Sequence, residues 1–176
     1  MKIDKLFDNL INEVTQDYSN LTVDEIYTKG LKDPNFDFEK GLDALIEKDK
    51  DGEYTYLAGL DWKTFDFNKG LDALIKTDKT GDWIFRAGRD WNTFDFDDGL
   101  DGLIAKNKKG QWIYKAGLDW SNFDYKKGMK ALEEKDDYWI KIADKNWPKT
   151  YTEKLKEVKD KYDENHIPGK RKKLKR

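Results

Sequence analysis

The chain has 176 residues, enough for one domain, with 37% hydrophobic, 14% aromatic and 40% charged residues and a net charge of −2. The hydrophobic share is small for a large compact core, whereas the aromatic content argues against disorder. Because there is no cysteine and no apolar run long enough to cross a membrane, the composition excludes disulfides, cysteine metal sites and thiolate catalysis, and predicts a soluble cytoplasmic protein without a membrane partner.

A short sequence returns at a constant interval along most of the chain. The tripeptide Phe36-Asp37-Phe38 recurs at 65–67 and 94–96, and in altered form at 123–125, and each copy is followed after two residues by Gly-Leu or Gly-Met. A period of this length indicates stacked supersecondary units that share one core. We therefore expect a degenerate unit at 1–35 and four units at 36–64, 65–93, 94–122 and 123–149.

The first full unit begins with a predicted amphipathic helix, helix A. Asp37 is a good N-cap, and Phe38, Leu42 and Leu45 share one helical face over about 11 residues. The turn after this helix ends in Gly52, which is predicted to close helix A in the left-handed conformation.

A second short helix, helix B, is predicted after the turn. Tyr54, Ala58 and Trp62 lie at i, i+4 and i+8, and the following units keep the tryptophan as Trp91 and Trp120. These tryptophans are predicted to be core residues at the junctions between units.

Glycine and aspartate recur at helix positions where each is unfavourable, so their presence needs a structural explanation. Each helix A contains an interior glycine, for which we predict close approach of a neighbouring helix: Gly41, Gly70, Gly99 and Gly128. Three helices B end in an aspartate that opposes the helix dipole: Asp61, Asp90 and Asp119. These aspartates are predicted to accept hydrogen bonds from the amides of the next helix A or from an indole. The alternative is an acidic row presented to a basic partner.

Helix B carries a second stripe of side chains away from its tryptophan face. Its members, together with two variable neighbours, are the candidate partner-binding residues: Tyr56, Leu60, Phe85, Arg86, Arg89, Tyr114, Lys115 and Leu118. A helix with two apolar sides is either buried between layers or presents a binding ridge. Both alternatives stay open at this point, although Tyr and Arg are typical of binding hot spots.

The pattern as a whole predicts an all-α fold. It resembles a short two-helix α-solenoid of the HEAT-like kind, with about four full units, the degenerate N-terminal unit and a C-terminal capping helix at 150–164. Residues 1–164 would form a single repeat domain, and 165–176 a flexible basic tail. The resemblance implies a scaffold that binds other macromolecules.

The tail contains six cations in seven residues, and without them the chain would carry a net charge of −8. These cations are the candidate nucleic-acid contacts: Lys170, Arg171, Lys172, Lys173, Lys175 and Arg176. The tail is read as a nucleic-acid arm, a nuclear localisation signal or a solubilising terminus.

No catalytic, cofactor or metal motif is recognisable, and the single histidine, His166, has no framework around it. The expected function is non-enzymatic protein binding, with an adaptor or inhibitor of a larger bacterial or phage machine as one such role. The alternatives are a nucleic-acid-binding repeat protein that uses the tail and a structural assembly subunit. Neither a cofactor nor a small-molecule substrate is expected.

Overall fold

The computed structural model describes residues 17–148, and the regular structure in that range is helical throughout. In chain order the helices are α1 (Val23–Lys32), α2 (Phe38–Lys48), α3 (Glu53–Asp61), α4 (Phe67–Thr77), α5 (Asp82–Asp90), α6 (Phe96–Lys106), α7 (Gln111–Asp119), α8 (Tyr125–Glu133) and α9 (Asp137–Asn146). The predicted all-α class is confirmed. The predicted capping helix (150–164), the basic tail and residues 1–16 of the degenerate unit lie outside the described residues.

The helices alternate between the two predicted kinds. Helices α2, α4, α6 and α8 are helices A, and their first residues recur at the constant interval of the sequence repeat. Each is capped by the predicted aspartate, whose side chain accepts a backbone N–H from the first turn: Asp37, Asp66, Asp95 and Asp124. Such a cap stabilises a helix by about 1 kcal/mol. Helices α1, α3, α5, α7 and α9 are helices B.

The turn between helices A and B differs from the prediction. Gly52 has φ +93°, as expected for a left-handed glycine, but it is the residue that starts α3, and α2 has already ended at Lys48. Helix α2 is closed by Asp49, which is buried, and its carboxylate accepts the N–H of Gly52 and both the N–H and the hydroxyl of Thr55. One carboxylate therefore ends one helix and positions the start of the next.

The helices pack as an α-solenoid-like arrangement, which confirms the predicted fold class. Each helix contacts the next one along the chain, and each helix B also contacts the helix B of the preceding unit. The centre of every unit is filled by a fully buried leucine of helix A: Leu45, Leu74, Leu103 and Leu132.

Consecutive helices B are joined by a tryptophan that follows each of α3, α5, α7 and α9. All four are buried, as predicted for the first three of them: Trp62, Trp91, Trp120 and Trp147. Each indole N–H donates to a backbone carbonyl of the preceding helix B, for example from Trp91 to Tyr56 at 3.1 Å. The indole ring also covers a glycine of that helix: Gly30, Gly59, Gly88 or Gly117. We call this series the tryptophan ladder.

The ladder ends at both extremes of the described chain. Asp33 follows α1 at the position that the tryptophan takes in later units, one repeat period before Trp62. Asp144 lies three residues before Trp147, where the other helices B have glycine, and it is exposed. Neither end therefore has both the tryptophan and the glycine that one further step would need.

The glycines inside helices A have a different neighbour from the predicted one. An alanine Cβ at Gly70 would lie 2.5 Å from the ring of Phe65, the phenylalanine that precedes the same helix. Equivalent rings cover the other three glycines. The prediction of close helix–helix approach is therefore wrong, since the glycine makes room for an aromatic ring of its own unit.

Candidate functional site

The second stripe of helix B is split between the interior and the surface. Tyr56 and Phe85 are buried and Tyr114 is partly buried. Each packs against a tryptophan of the following helix B, with ring centroids 5.2–5.4 Å apart; the Phe85 pair is stacked and the two tyrosine pairs are tilted. These three rings therefore support the packing of one unit on the next.

The remaining members of the stripe lie at the surface. Leu60 and Leu118 are 41% and 47% exposed, and Arg89 is exposed between them on α5. Each lies two residues before the ladder tryptophan of its unit. Leu31, at 45% exposure, and the exposed Lys145 occupy the same position on α1 and α9.

We call these five residues the outer row: Leu31, Leu60, Arg89, Leu118 and Lys145. The candidate partner-binding residues predicted from the sequence did not include Leu31 and Lys145. The signal that finds Leu31 is its place one repeat period before Leu60, and Lys145 keeps the two-residue distance to Trp147 although its unit is shorter than the others.

A second row runs beside the outer row, three residues earlier on α3, α5, α7 and α9. It contains Leu57, Arg86, Lys115 and Ile142, all half-buried except the exposed Lys115. The Arg86 guanidinium lies 5.1 Å from the centroid of the Trp83 ring, and the Lys115 ammonium lies 4.2 Å from that of Trp112. These cation–π contacts hold two long side chains flat against the surface.

The two arginines of α5 are oriented by neighbouring carboxylates. Arg86 donates through Nε and Nη2 to Asp82 at 3.0 and 3.3 Å, and Arg89 donates through the same two nitrogens to Asp90 at 2.7 Å each. The hydrogen bond to Asp82 raises the pKa of Arg86, and the hydrogen bond from Arg89 lowers the pKa of Asp90. A guanidinium has five N–H donors. Each arginine therefore keeps donors that its own aspartate does not use.

Two of the three predicted aspartates at the ends of helices B are held by tyrosines of the preceding unit, whereas Asp119 has Phe85, which lacks a hydroxyl, at the equivalent position. The Tyr56 hydroxyl donates to Asp90 at 2.7 Å, and the Tyr27 hydroxyl donates in the same way to Asp61. For Asp61 and Asp90 the donor is thus a tyrosine hydroxyl, and not the predicted backbone amide or indole. Burial and the hydrogen bond together raise the pKa of Tyr27 and of Tyr56 to about 12.

The outward face of helices A has a different character. Its exposed positions are mostly charged, and ion pairs join neighbouring units, with Lys69 Nζ 2.5 Å from Asp43 and Lys127 Nζ 2.7 Å from Asp101. Exposed pairs of this kind contribute little and are screened by salt. By contrast, the large exposed leucines among residues 17–148 all lie on helices B.

A cavity of about 250 Å³ opens between α2 and α4. Its wall combines the rings of Phe38 and Phe65 with Asp66 and Lys69. Asp66 caps α4, and Lys69 is paired with Asp43. Asp66 and Lys69 therefore already serve the fold.

Within residues 17–148, no cluster of His, Asp or Glu is suited to hold a metal ion, and no helix is both long and apolar enough to cross a membrane. Comparisons of the chain with protein-family models, curated proteins and solved structures find no match. The chemistry that the outer and second rows offer is apolar contact combined with oriented cations, which suits binding of another macromolecule.

Proposed function

We propose that this chain is a non-enzymatic protein-binding repeat scaffold whose binding surface is the outer row with the second row beside it. The observation that carries the proposal is the contrast between the two exposed faces of the solenoid. Helices B expose a leucine or a cation at a fixed position in every unit, with three leucines among the five, whereas helices A expose mostly charge. Exposed apolar residues in a contiguous patch mark interaction sites, and arginine is enriched at binding hot spots.

The internal comparison of the units supports this assignment. The tryptophan ladder and its glycines repeat with little change, whereas the outer row changes from Leu60 to Arg89 to Leu118. Positions that vary on a constant scaffold are suited to recognition of one particular partner, as in the HEAT-like solenoids that the sequence resembles. The proposal keeps the expected cytoplasmic setting and the role of adaptor or inhibitor of a larger bacterial or phage machine.

The two alternative functions have less support. The nucleic-acid alternative depends on the tail at 165–176, outside the described residues, and the outer row has Asp61 and Asp90 at its edge, which would repel phosphates. Assembly by end-to-end continuation of the repeats would bring Asp33 against Asp144 in place of a tryptophan against a glycine. The two carboxylates would repel each other, whereas at the other junctions a tryptophan is buried against a glycine.

The proposal is tested by capture of partners from the organism that encodes the chain. The double variant Leu60→Asp, Leu118→Asp adds two negative charges to the outer row. The matched control, Asn68→Asp with Ala105→Asp, adds the same charge at exposed positions of helices A. We expect the control to capture the same protein as the wild type and the outer-row variant to lose it. Equal capture by both variants would contradict the proposed surface.

A further inference from the structure

We infer that the occupant of the outer row is an extended peptide segment in polyproline II conformation, with apolar and acidic side chains at every third position. This inference rests on the proposed function and adds the chemistry and shape of the partner. In the order of the helices, the expected pattern is apolar, apolar, acidic, apolar, acidic, with two free positions between successive members.

The order of side chains follows from the outer row. Leu31 and Leu60 offer apolar surface, Arg89 a cation, Leu118 apolar surface again and Lys145 a second cation. A partner gains most when apolar groups cover the leucines and carboxylates meet the cations, because each leucine leaves water and each charge finds its opposite.

The spacing follows from the packing of helices B. Neighbouring helices B are in contact, and helices in contact lie about 8–10 Å apart. A polyproline II segment has three residues per turn and rises about 3.1 Å per residue, so every third side chain points the same way at intervals of about 9 Å. Such a segment can place one side chain on each helix B, and at three residues per step the five helices require a segment of about 13 residues.

Other conformations fit the spacing less well. In a β-strand every second side chain lies on the same face, so side chains on that face are about 6.6 or 13 Å apart. Neither distance matches the spacing of neighbouring helices B. An α-helix laid across the row would need about six residues per step, and six residues turn it by about 600°, so successive contacts would leave the shared face. The regular single position per helix B therefore favours the extended segment.

The acidic position opposite α5 is the best defined. Arg89 is held by its two hydrogen bonds to Asp90 and by the Phe85 ring, whose centroid lies 5.5 Å from the guanidinium carbon. Asp90 is fixed in turn by the Tyr56 hydroxyl. A side chain already held in one place loses little entropy when it binds, and the N–H donors of Arg89 that Asp90 does not use suit a carboxylate. Arg86 lies one helical turn away on the same helix and adds a second cation.

The inference is tested with a displayed library of random peptides of that length, selected on the full-length chain. We expect the enriched peptides to share apolar and acidic residues at a three-residue period in the stated order or its reverse, with proline frequent between them. A synthetic peptide of that consensus then serves as the probe in fluorescence anisotropy. Arg89→Glu should weaken its binding by about tenfold or more, and replacing the central acidic residue of the peptide by lysine should restore the affinity. The matched control Lys76→Glu reverses an exposed charge on α4 and should change nothing.

Enrichment of basic peptides, of peptides with a helical period or of no peptide would overturn the inference. Equal affinity of the consensus peptide for the Arg89→Glu variant and for the wild type would also overturn the inference. Capture of the cellular partner then shows whether only this inference fails or the proposed function fails as well. If capture still depends on Leu60 and Leu118 while the peptide pattern is absent, the proposed function holds with an occupant of another shape. If capture is also independent of these leucines, the proposed function fails with it.

Discussion

The substitution Gly88→Ala isolates the tryptophan ladder from every other feature of the fold. In an ordinary helix interior, alanine stabilises by about 1 kcal/mol relative to glycine. Here the added Cβ would lie 2.5 Å from Cε2, 2.6 Å from Nε1 and 2.8 Å from Cζ2 of Trp120. Carbon atoms prefer about 3.5–4.0 Å, so the indole must move away by about 1 Å.

Trp120 has little freedom to move. Only 5% of its surface is exposed, its ring packs against Phe94 and Phe96 with centroids 5.2 and 5.7 Å away, and its indole donates to the Phe85 carbonyl at 2.9 Å. Overpacking of this kind costs about 1–3 kcal/mol, and a weakened hydrogen bond about 1 kcal/mol more. After subtraction of the helix-propensity gain, we expect Gly88→Ala to lower the free energy of unfolding by about 1–3 kcal/mol.

Urea unfolding followed by far-UV circular dichroism measures this change. Asp144→Ala is the matched control, because Asp144 occupies the equivalent position of α9 and is exposed. Its effect should stay within about 0.5 kcal/mol. If Gly88→Ala were as stable as the wild type or more stable, the indole would not lie over the glycine, and the ladder would be wrong.

Three further predictions concern a hydrogen bond between units, the removal of one unit and the basic tail. Tyr56→Phe removes the hydroxyl that binds Asp90 and should lower the free energy of unfolding by about 0.5–1.5 kcal/mol in thermal or urea unfolding. Because the pKa of Tyr56 is raised from 10.0 to about 12, its stabilisation is complete below pH 10 and is lost as the pH rises to about 12, so the variant should lose less stability over that interval than the wild type. Deletion of 65–93 should leave a shorter helical protein, because Trp120 would then cover Gly59; loss of the helical circular dichroism signal would contradict the solenoid. A chain that ends at Gly169 should keep its fold and its capture of the protein partner, whereas loss of salt-sensitive retention on DNA together with loss of biological activity would favour the nucleic-acid alternative.

The sequence was sufficient to predict the helices and the order in which they pack. The helical class, the cap at Asp37 and the burial of Trp62, Trp91 and Trp120 were predicted correctly, because each depends on local spacing or on a large apolar side chain. The turn between helices A and B was harder to predict. A glycine three residues after Asp49 satisfies the rules for the end of one helix and for the start of the next, and only the backbone angles show that it starts α3.

Contacts between units were the least predictable. The hydrogen bond from Tyr56 to Asp90 joins residues 34 apart, and nothing in the local sequence of either residue indicates the other. The sequence also did not indicate which side chains of helix B are buried and which are exposed. Tyr56 and Leu60 are four residues apart and lie about 40° from each other around the helix, yet the neighbouring helices B cover the first and leave the second exposed.

Site-specific photo-crosslinking in the living host tests the central claim most directly. A benzophenone amino acid is placed at Leu60 or Leu118 in the outer row, and at Asn68 or Ala105 on helices A as matched exposed controls. Binding through the outer row predicts that irradiation joins the same protein to positions 60 and 118 and joins none to positions 68 and 105. Equal cross-linking on both faces, or cross-linking on helices A alone, would contradict the claim that helices B carry the binding surface.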